Sequence, residues 1–177
     1  MLCYNIIMIK TYDEIIEIKE KLGGIAVAFG CFDILHYGHV NFVNAVQNAT
    51  EFPFAVGVLP DEYVRATKGE GRPVNNENLR VKALNERTGA DYAFIVNEKG
   101  DFDYYKKKFN LEGGKLLWEY ALHALYRIKP TEFYYSTDFK MTKEILMAFD
   151  ELKIKHFAVP YTDGISSTAI IEGSQPK

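Results

Sequence analysis

Residues 25–49 read IAVAFGCFDILHYGHVNFVNAVQNA, and the order of residue types in that stretch decides the fold. An unbroken apolar run (Ile25, Ala26, Val27, Ala28, Phe29) predicts a strand buried on both faces, as in the middle of a parallel sheet. Gly30 ends it. Cys31, Phe32 and Asp33 follow, then His36-Tyr37-Gly38-His39, with Val40, Phe42, Val43 and Val46 at the spacing of a helix's buried side. Strand, loop and helix thus deliver two histidines to a helix start, where free backbone N–H groups and the positive end of the helix dipole favour an anion such as phosphate. A histidine at a helix start is also a common cap or packing residue. A metal pair fits less well: helical histidine ligands stand four apart with a further ligand elsewhere, whereas these stand three apart with no second cluster near either cysteine.

Outward from this stretch, the same alternation of strand and helix continues. Upstream, Thr11-Tyr12-Asp13-Glu14 has the form of a capping box opening a helix with Ile15, Ile16, Ile18 and Leu22, stopped by Gly23-Gly24. Downstream, residues 52–59 form the second strand, with Pro53 near its start. The stretch DEYVRATKGEGRPVNN is read as a long cationic loop carrying Lys68 and Arg72. A solvated surface loop is its commonest role, but this one leaves the carboxyl end of a strand, where open α/β sheets bind ligands. Asn75 or Asn76 caps the next helix, which holds Arg80 and runs to about residue 88, and residues 92–96 are the third strand.

Residues 97–129 form an insertion: an aromatic and charged run at 101–109, a Gly113-Gly114 break, then a helical pattern in Leu116, Leu117, Tyr120, Leu122, Ala124 and Leu125. Its apolar period suits packing, a lid or a subunit interface, with Trp118 and His123 in a core or interface. Residues 132–135 make the fourth strand, with Ser136-Thr137-Asp138-Phe139 at its carboxyl end. A helix through Ile145, Leu146, Phe149 and Leu152 leads to a fifth strand at 156–159, where His156 is structural. Thr162-Asp163-Gly164 then turns into a second helix start at Ser166, Ser167 and Thr168. The expected architecture is α/β: one domain over residues 1–177, a parallel five-stranded sheet flanked by helices, and a helical insertion after the third strand.

Composition bounds the function. With 177 residues, 47% of them hydrophobic, the chain can bury one sizeable core. A net charge of −3 and scattered lysines argue against nucleic acid. Two cysteines, Cys3 and Cys31, make no disulfide framework and fit a reducing compartment. No apolar run reaches the length of a membrane span, and the N-terminus lacks a signal-peptide pattern, so a cytoplasmic protein is expected. Aromatics at 14% of residues would suit a homodimer interface.

Two phosphate-type sites lie at opposite ends of the chain, and both have a family likeness. GCFDILHYGH resembles the HxGH signature of the nucleotidyltransferase superfamily, whose fold is Rossmann-like, and GISSTAII resembles its C-terminal (I/C)S(S/T)T motif. The resemblance implies transfer of a nucleoside monophosphate from a triphosphate to a phosphate-bearing small molecule, with Mg²⁺. It implies that His36 and His39 stabilise the transition state, that Lys68 binds triphosphate or acceptor phosphate, and that Asp33 lies close to the reacting phosphates. Arg72 and Arg80 would grip phosphate. Phe29, Gly30, Cys31, Phe32, Gly38, Asp138, Ser166, Ser167 and Thr168 would contact the nucleotide, with Gly30 and Gly38 letting it approach the backbone.

KGEGRPVNNENLR, followed by ADYAFIV, is similar to the KGxxRPVNxxxxR…VDxVV block of heptose-phosphate adenylyltransferases. Glycerol-3-phosphate cytidylyltransferases carry arginines where this chain has Thr88 and Tyr161, so ATP is the expected donor. CTP, with a polyol or alcohol phosphate as acceptor, is the alternative. Archaeal-type FAD synthetases, which share the FDxLHxGH block, are more distant. YSTDF stands where the heptose enzymes have KGGDY, which leaves the acceptor open. A catalytically inert nucleotide-binding or scaffolding protein is the rival from another class.

Overall fold

The computed structural model describes residues 8–111, 117–171 and 173. The expectations on Cys3, Gly113-Gly114, Leu116 and the Trp118 side chain lie outside the described residues. The elements run β1 (Met8–Lys10), α1 (Tyr12–Leu22), β2 (Ala26–Gly30), α2 (Tyr37–Ala49), β3 (Phe54–Val58), α3 (Asp61–Lys68), α4 (Glu77–Arg87), β4 (Tyr92–Ile95) and α5 (Phe102–Phe109). A π turn (Trp118–Leu122), α6 (His123–Ile128), β5 (Glu132–Ser136), α7 (Lys143–Leu152), β6 (Lys155–Val159) and α8 (Ser167–Ile171) complete them. The strands form one parallel sheet in the order β1-β4-β3-β2-β5-β6.

The expected Rossmann-like α/β architecture is present, but the sheet has six strands rather than five. The additional one, β1, pairs in register with Tyr92, Ala93 and Phe94 of β4. It is three residues long and stops directly before the Thr11 cap, so no internal alternation marks it. Only its partner strand defines it. The capping box itself is formed: Thr11 Oγ1 accepts from Glu14 N–H at 3.3 Å and Glu14 Oε2 accepts from Thr11 N–H at 2.8 Å. Gly23, at φ 76°, ends the helix in the left-handed region.

Alternate residues of each strand face opposite helical layers. Val27, Ala55, Phe94 and Phe133 pack with Tyr12 and Ile15 of α1, Leu125 of α6 and Phe149 of α7. Ala26, Ala28, Phe54, Val56 and Ala93 pack with Val43 and Val46 of α2 and Val81 and Leu84 of α4. The buried residues described in the insertion, among them Tyr105, Phe109, Leu122 and Ile128, belong to the first layer.

One expectation is corrected in the segment after β3. The supposed long loop is helical from Asp61 to Lys68, and only residues 69–76 link α3 to α4. Asp61 and Glu62 in its first turn, and Arg65 and Lys68 in its last, complement the helix dipole. Val64 alone is fully buried. With one fully buried side chain and few apolar residues in DEYVRATK, the helix carries too short an apolar stripe to be found by pattern. Asn76, rather than Asn75, caps α4, accepting from Leu79 N–H at 3.0 Å.

Candidate active site

β2 is the topological switch point, because the chain moves to one side of it for β3 and β4 and to the other for β5 and β6. It pairs with β3 along its whole length, from Ala26 to Gly30, but with β5 only at Ala26↔Glu132 and Val27↔Phe133. Beyond those pairs the two strands part, which opens a crevice at their carboxyl ends. A cavity of about 490 Å³ occupies it.

The sequence-predicted residues converge there. Phe29, Gly30, Cys31, Phe32, Asp33, His36, Gly38, His39, Lys68, Arg72, Asp138, Ser166, Ser167 and Thr168 all line this cavity. His36 caps α2, and its ring stacks on His39 with centroids 3.8 Å apart. His36 N–H donates to His39 Nδ1 at 3.4 Å, which leaves Nε2 as the donor position of the neutral His39 ring. Phe32 packs edge-on against that ring at 5.1 Å. Burial, then the neighbouring His36, pushes the His39 pKa down to about 3, opposed by a backbone hydrogen bond with Ile34. Burial lowers His36 as well. Both rings are therefore neutral hydrogen-bonding groups near pH 7, not fixed cations. His36 Nδ1 is buried without a hydrogen-bond partner among the described residues, an orphan of the kind a bound ligand can satisfy.

Positive charge comes from the other side of β2. Lys68, the last residue of α3, is exposed and makes no hydrogen bond or ion pair to the described residues. Arg72 is tied down: its Nε donates to Asp33 Oδ2 at 2.5 Å. Asp33, 2% exposed, also accepts Val74 N–H at 2.7 Å and Asn75 N–H at 3.1 Å through Oδ1. Asn75 Nδ2 returns a bond to the Asp33 carbonyl at 2.9 Å. Asp33 therefore anchors the whole 72–75 segment against the loop after β2. Sequence reasoning named Asp33 and Arg72 but not their partnership, and it missed Asn75 as the hinge between them.

Arg80 is the one predicted site residue that the structure does not bring to the cavity. It is 1% exposed in α4, beneath the floor. Its Nε donates to Asn75 O at 2.9 Å, one terminal nitrogen to Cys31 O at 2.5 Å and the other to Asp61 Oδ1 at 2.7 Å. Three segments that line or flank the site are thus held by one guanidinium.

A Cβ on Gly30 would lie 2.6 Å from the Phe32 ring, and one on Gly38 would lie 3.1 Å from the His36 ring and 3.3 Å from Ile165. Phe32 has φ 49°, which folds its ring back over Gly30. A side chain at either position would meet the protein's own rings, while both glycines line the cavity.

The C-terminal motif closes the site. Ser166 Oγ accepts Ala169 N–H at 3.1 Å and so caps the short α8. Ser167 Oγ donates to Ile34 O at 3.1 Å, joining the two motifs directly. Of the two residues read for nucleotide choice, Tyr161 lines the cavity and donates to Ile165 O at 2.8 Å. Thr88 instead ends α4, where its hydroxyl bonds Leu84 O, and is not among the lining residues. Sequence reading also missed Leu59, Tyr63, Phe133 and Tyr135 as lining residues.

No group of three or more His, Cys, Asp or Glu among the described residues is arranged to hold a metal ion. Both Asp33 oxygens are already engaged. No described helix is long and apolar enough to cross a membrane.

Fold and cavity define a parallel α/β protein with its ligand cleft at the sheet's switch point. The chain belongs to the cytidylyltransferase-like family, whose model matches residues 27–173. It is 28% identical over 166 residues to the bifunctional protein HldE of Campylobacter concisus (strain 13826), covering 93% of this chain and 30% of that relative. The lipopolysaccharide core biosynthesis protein from Thermoplasma volcanium superposes with a TM-score of 0.56 at 22% identity, over 78% of this chain and 95% of that one. Pantothenate synthetase from Thermus thermophilus does so with 0.61 at 15% identity, over 93% and 67%.

Proposed function

We propose that the protein transfers a nucleoside monophosphate, AMP from ATP, to the phosphate of a small molecule. The observation that carries this reading is the meeting of the HYGH and ISST segments in one cavity, joined by the Ser167–Ile34 hydrogen bond. An acceptor phosphate oxygen attacks the α-phosphorus. A new P–O bond forms, the bond from the α-phosphorus to the α,β-bridging oxygen breaks, and pyrophosphate leaves with its Mg²⁺. The cation enters with the nucleotide as part of the substrate.

Little covalent work falls to the protein in such a displacement, so positioning and electrostatics dominate. His36 and His39 supply donors beside the α-phosphorus, and the incoming polyanion raises their low pKa values, which strengthens them as donors when charge develops. Lys68 and the Asp33-held Arg72 supply positive charge, and α8 offers backbone N–H groups. The KGEGRPVN block and Tyr161 favour ATP over CTP. The acceptor class implied by the resemblance is a sugar phosphate, the cytidylyl alternative implies a polyol or alcohol phosphate, and a homodimer is expected.

The test is calorimetry of Mg-ATP and Mg-CTP binding side by side, with His39→Ala assayed for pyrophosphate release. ATP is expected to bind at least tenfold more tightly than CTP, and His39→Ala to lose at least ~100-fold in turnover with nucleotide affinity held within a few fold. Preference for CTP would overturn the adenylyl assignment. Wild-type turnover by His39→Ala would overturn the catalytic one.

A further inference from the structure

The cavity has two unlike halves. On the α2 and α8 side its lining is the histidines and hydroxyls already described. Its lining also includes apolar residues: half-buried Phe29 and Leu117 reach it, backed by Ala121, Leu125, Phe133 and Ile145, which are buried. Leu117, Ala121 and Leu125 follow one another at intervals of four residues through the π turn and into α6, so one ridge of the insertion forms the wall. π turns of this kind frequently sit at functional sites.

This wall is preformed. Tyr120 Oη donates to Glu62 Oε2 at 2.9 Å and Lys99 Nζ pairs with Glu62 at 2.7 Å, fastening the insertion to α3. Gly100 N–H donates to Glu119 O at 2.8 Å. A Cβ on Gly100 would lie 2.6 Å from the Tyr105 ring, so the approach is close. The helix α3 itself spans the two halves: Tyr63 lines the cavity near its start, and Lys68 lines it at its end. The groups bordering the apolar half behave as if in a medium of low polarity, since burial raises both the Cys31 thiol and the Tyr63 phenol, the latter to about 12.

Such a lobe suits neither a nucleobase nor a polyol. A base needs polar partners along its edge, and Ser136, Asp138 and Thr162 offer them at the carboxyl ends of β5 and β6. A sugar's hydroxyls buried against Leu117, Ala121 and Phe133 would lose water without gaining hydrogen bonds. We propose that the acceptor is a phosphomonoester with an apolar body, alkyl or aryl, whose phosphate meets Lys68 and Arg72 while its body fills the Leu117–Ala121–Leu125 wall. This rests on the nucleotidyltransferase reading above and narrows its acceptor away from sugar and polyol phosphates.

The experiment uses the full chain with Mg-ATP, following pyrophosphate release with glucose 1-phosphate, glycerol 3-phosphate, butyl phosphate, 3-methylbutyl phosphate and phenyl phosphate. Nucleotide affinity is measured separately by calorimetry. The expected result is kcat/KM at least tenfold higher for the apolar esters, rising roughly fourfold per buried methylene. Leu117→Gln and Ala121→Leu should each lower kcat/KM for 3-methylbutyl phosphate at least tenfold while leaving the ATP Kd within twofold. Bound ATP with sugar or polyol phosphates used as well as or better than the apolar esters, or with no apolar ester used, would overturn this proposal and leave the nucleotidyltransferase reading standing. Weaker ATP binding in either variant would mean that the lobe holds the base, which also overturns it. No nucleotide binding at all would remove the reading beneath it.

Discussion

Arg80 separates two accounts of the site. The family resemblance makes it a phosphate ligand, whereas the structure makes it a buried tie with one bond each to Asn75 O, Cys31 O and Asp61 Oδ1. Arg80→Lys keeps the charge and discards the fork. An ammonium at that position can reach one of the three acceptors, so two hydrogen bonds to a charged donor are lost, at about 1.5–3 kcal/mol each before relaxation. With the residue 1% exposed, water does not reach the cation, although the Asp61 carboxylate, 28% exposed, keeps some hydration. The expected cost is about 3–5 kcal/mol, the range for disrupting a buried ionic arrangement. For a chain of this size that is a fall of ~6–20 °C in Tm. Thermal and urea unfolding followed by circular dichroism would measure it, alongside acceptor KM at a temperature where the variant is folded. A Tm within ~1 °C of wild type, together with a tenfold or larger rise in acceptor KM, would refute the structural account and restore Arg80 as a phosphate ligand.

Two further outcomes follow from the same geometry. Asp33→Asn keeps an oxygen for Val74 and Asn75 but sets an amide against Arg72 Nε, and should cost about 2–4 kcal/mol in urea unfolding. Adding Arg72→Gln should then cost little more; full additivity of the two would show that they do not act as a pair. The depressed His39 gives a pH dependence: between pH 6.5 and about 3 the unfolded chain takes up a proton that the folded ring refuses, so stability is full above 6.5 and falls as pH falls. Each pH unit in that window should remove up to about 1.4 kcal/mol. An unfolding free energy with the same slope in wild type and His39→Gln would show that His39 is not the source.

Much of this was legible in the chain because the informative residues sit where local rules act. The apolar run is buried on both faces of a central strand from Ile25 to Ala28, and the Thr11 and Asn76 caps fix helix starts through bonds three residues away. Fourteen of the fifteen residues named for the site line one cavity, because both motifs mark carboxyl ends of parallel strands. What escaped were features defined by a distant partner. β1 exists through β4, and α3 buries one side chain. The Asp33 anchor joins residues 41 and 42 positions apart. Spacing within a motif does not encode such contacts.

The same distinction explains why two residues of similar sequence prominence part company. Lys68 and Arg80 both come from the block that resembles adenylyltransferases, yet one is exposed and the other sealed in. The difference follows from where the chain turns. Gly69, at φ 91°, stops α3 just as Lys68 reaches the cavity rim, so the lysine meets water and any incoming anion. Arg80 enters one turn into α4, on the side that packs under the loop after β2, where it serves the Cys31 carbonyl and the part-exposed Asp61 carboxylate. A cation there compensates the site's own oxygens, and only a cation at the rim is left to compensate a substrate's. Charge delivered to the reacting phosphates is therefore expected from Lys68 and Arg72, while Arg80 keeps the floor on which they stand from shifting.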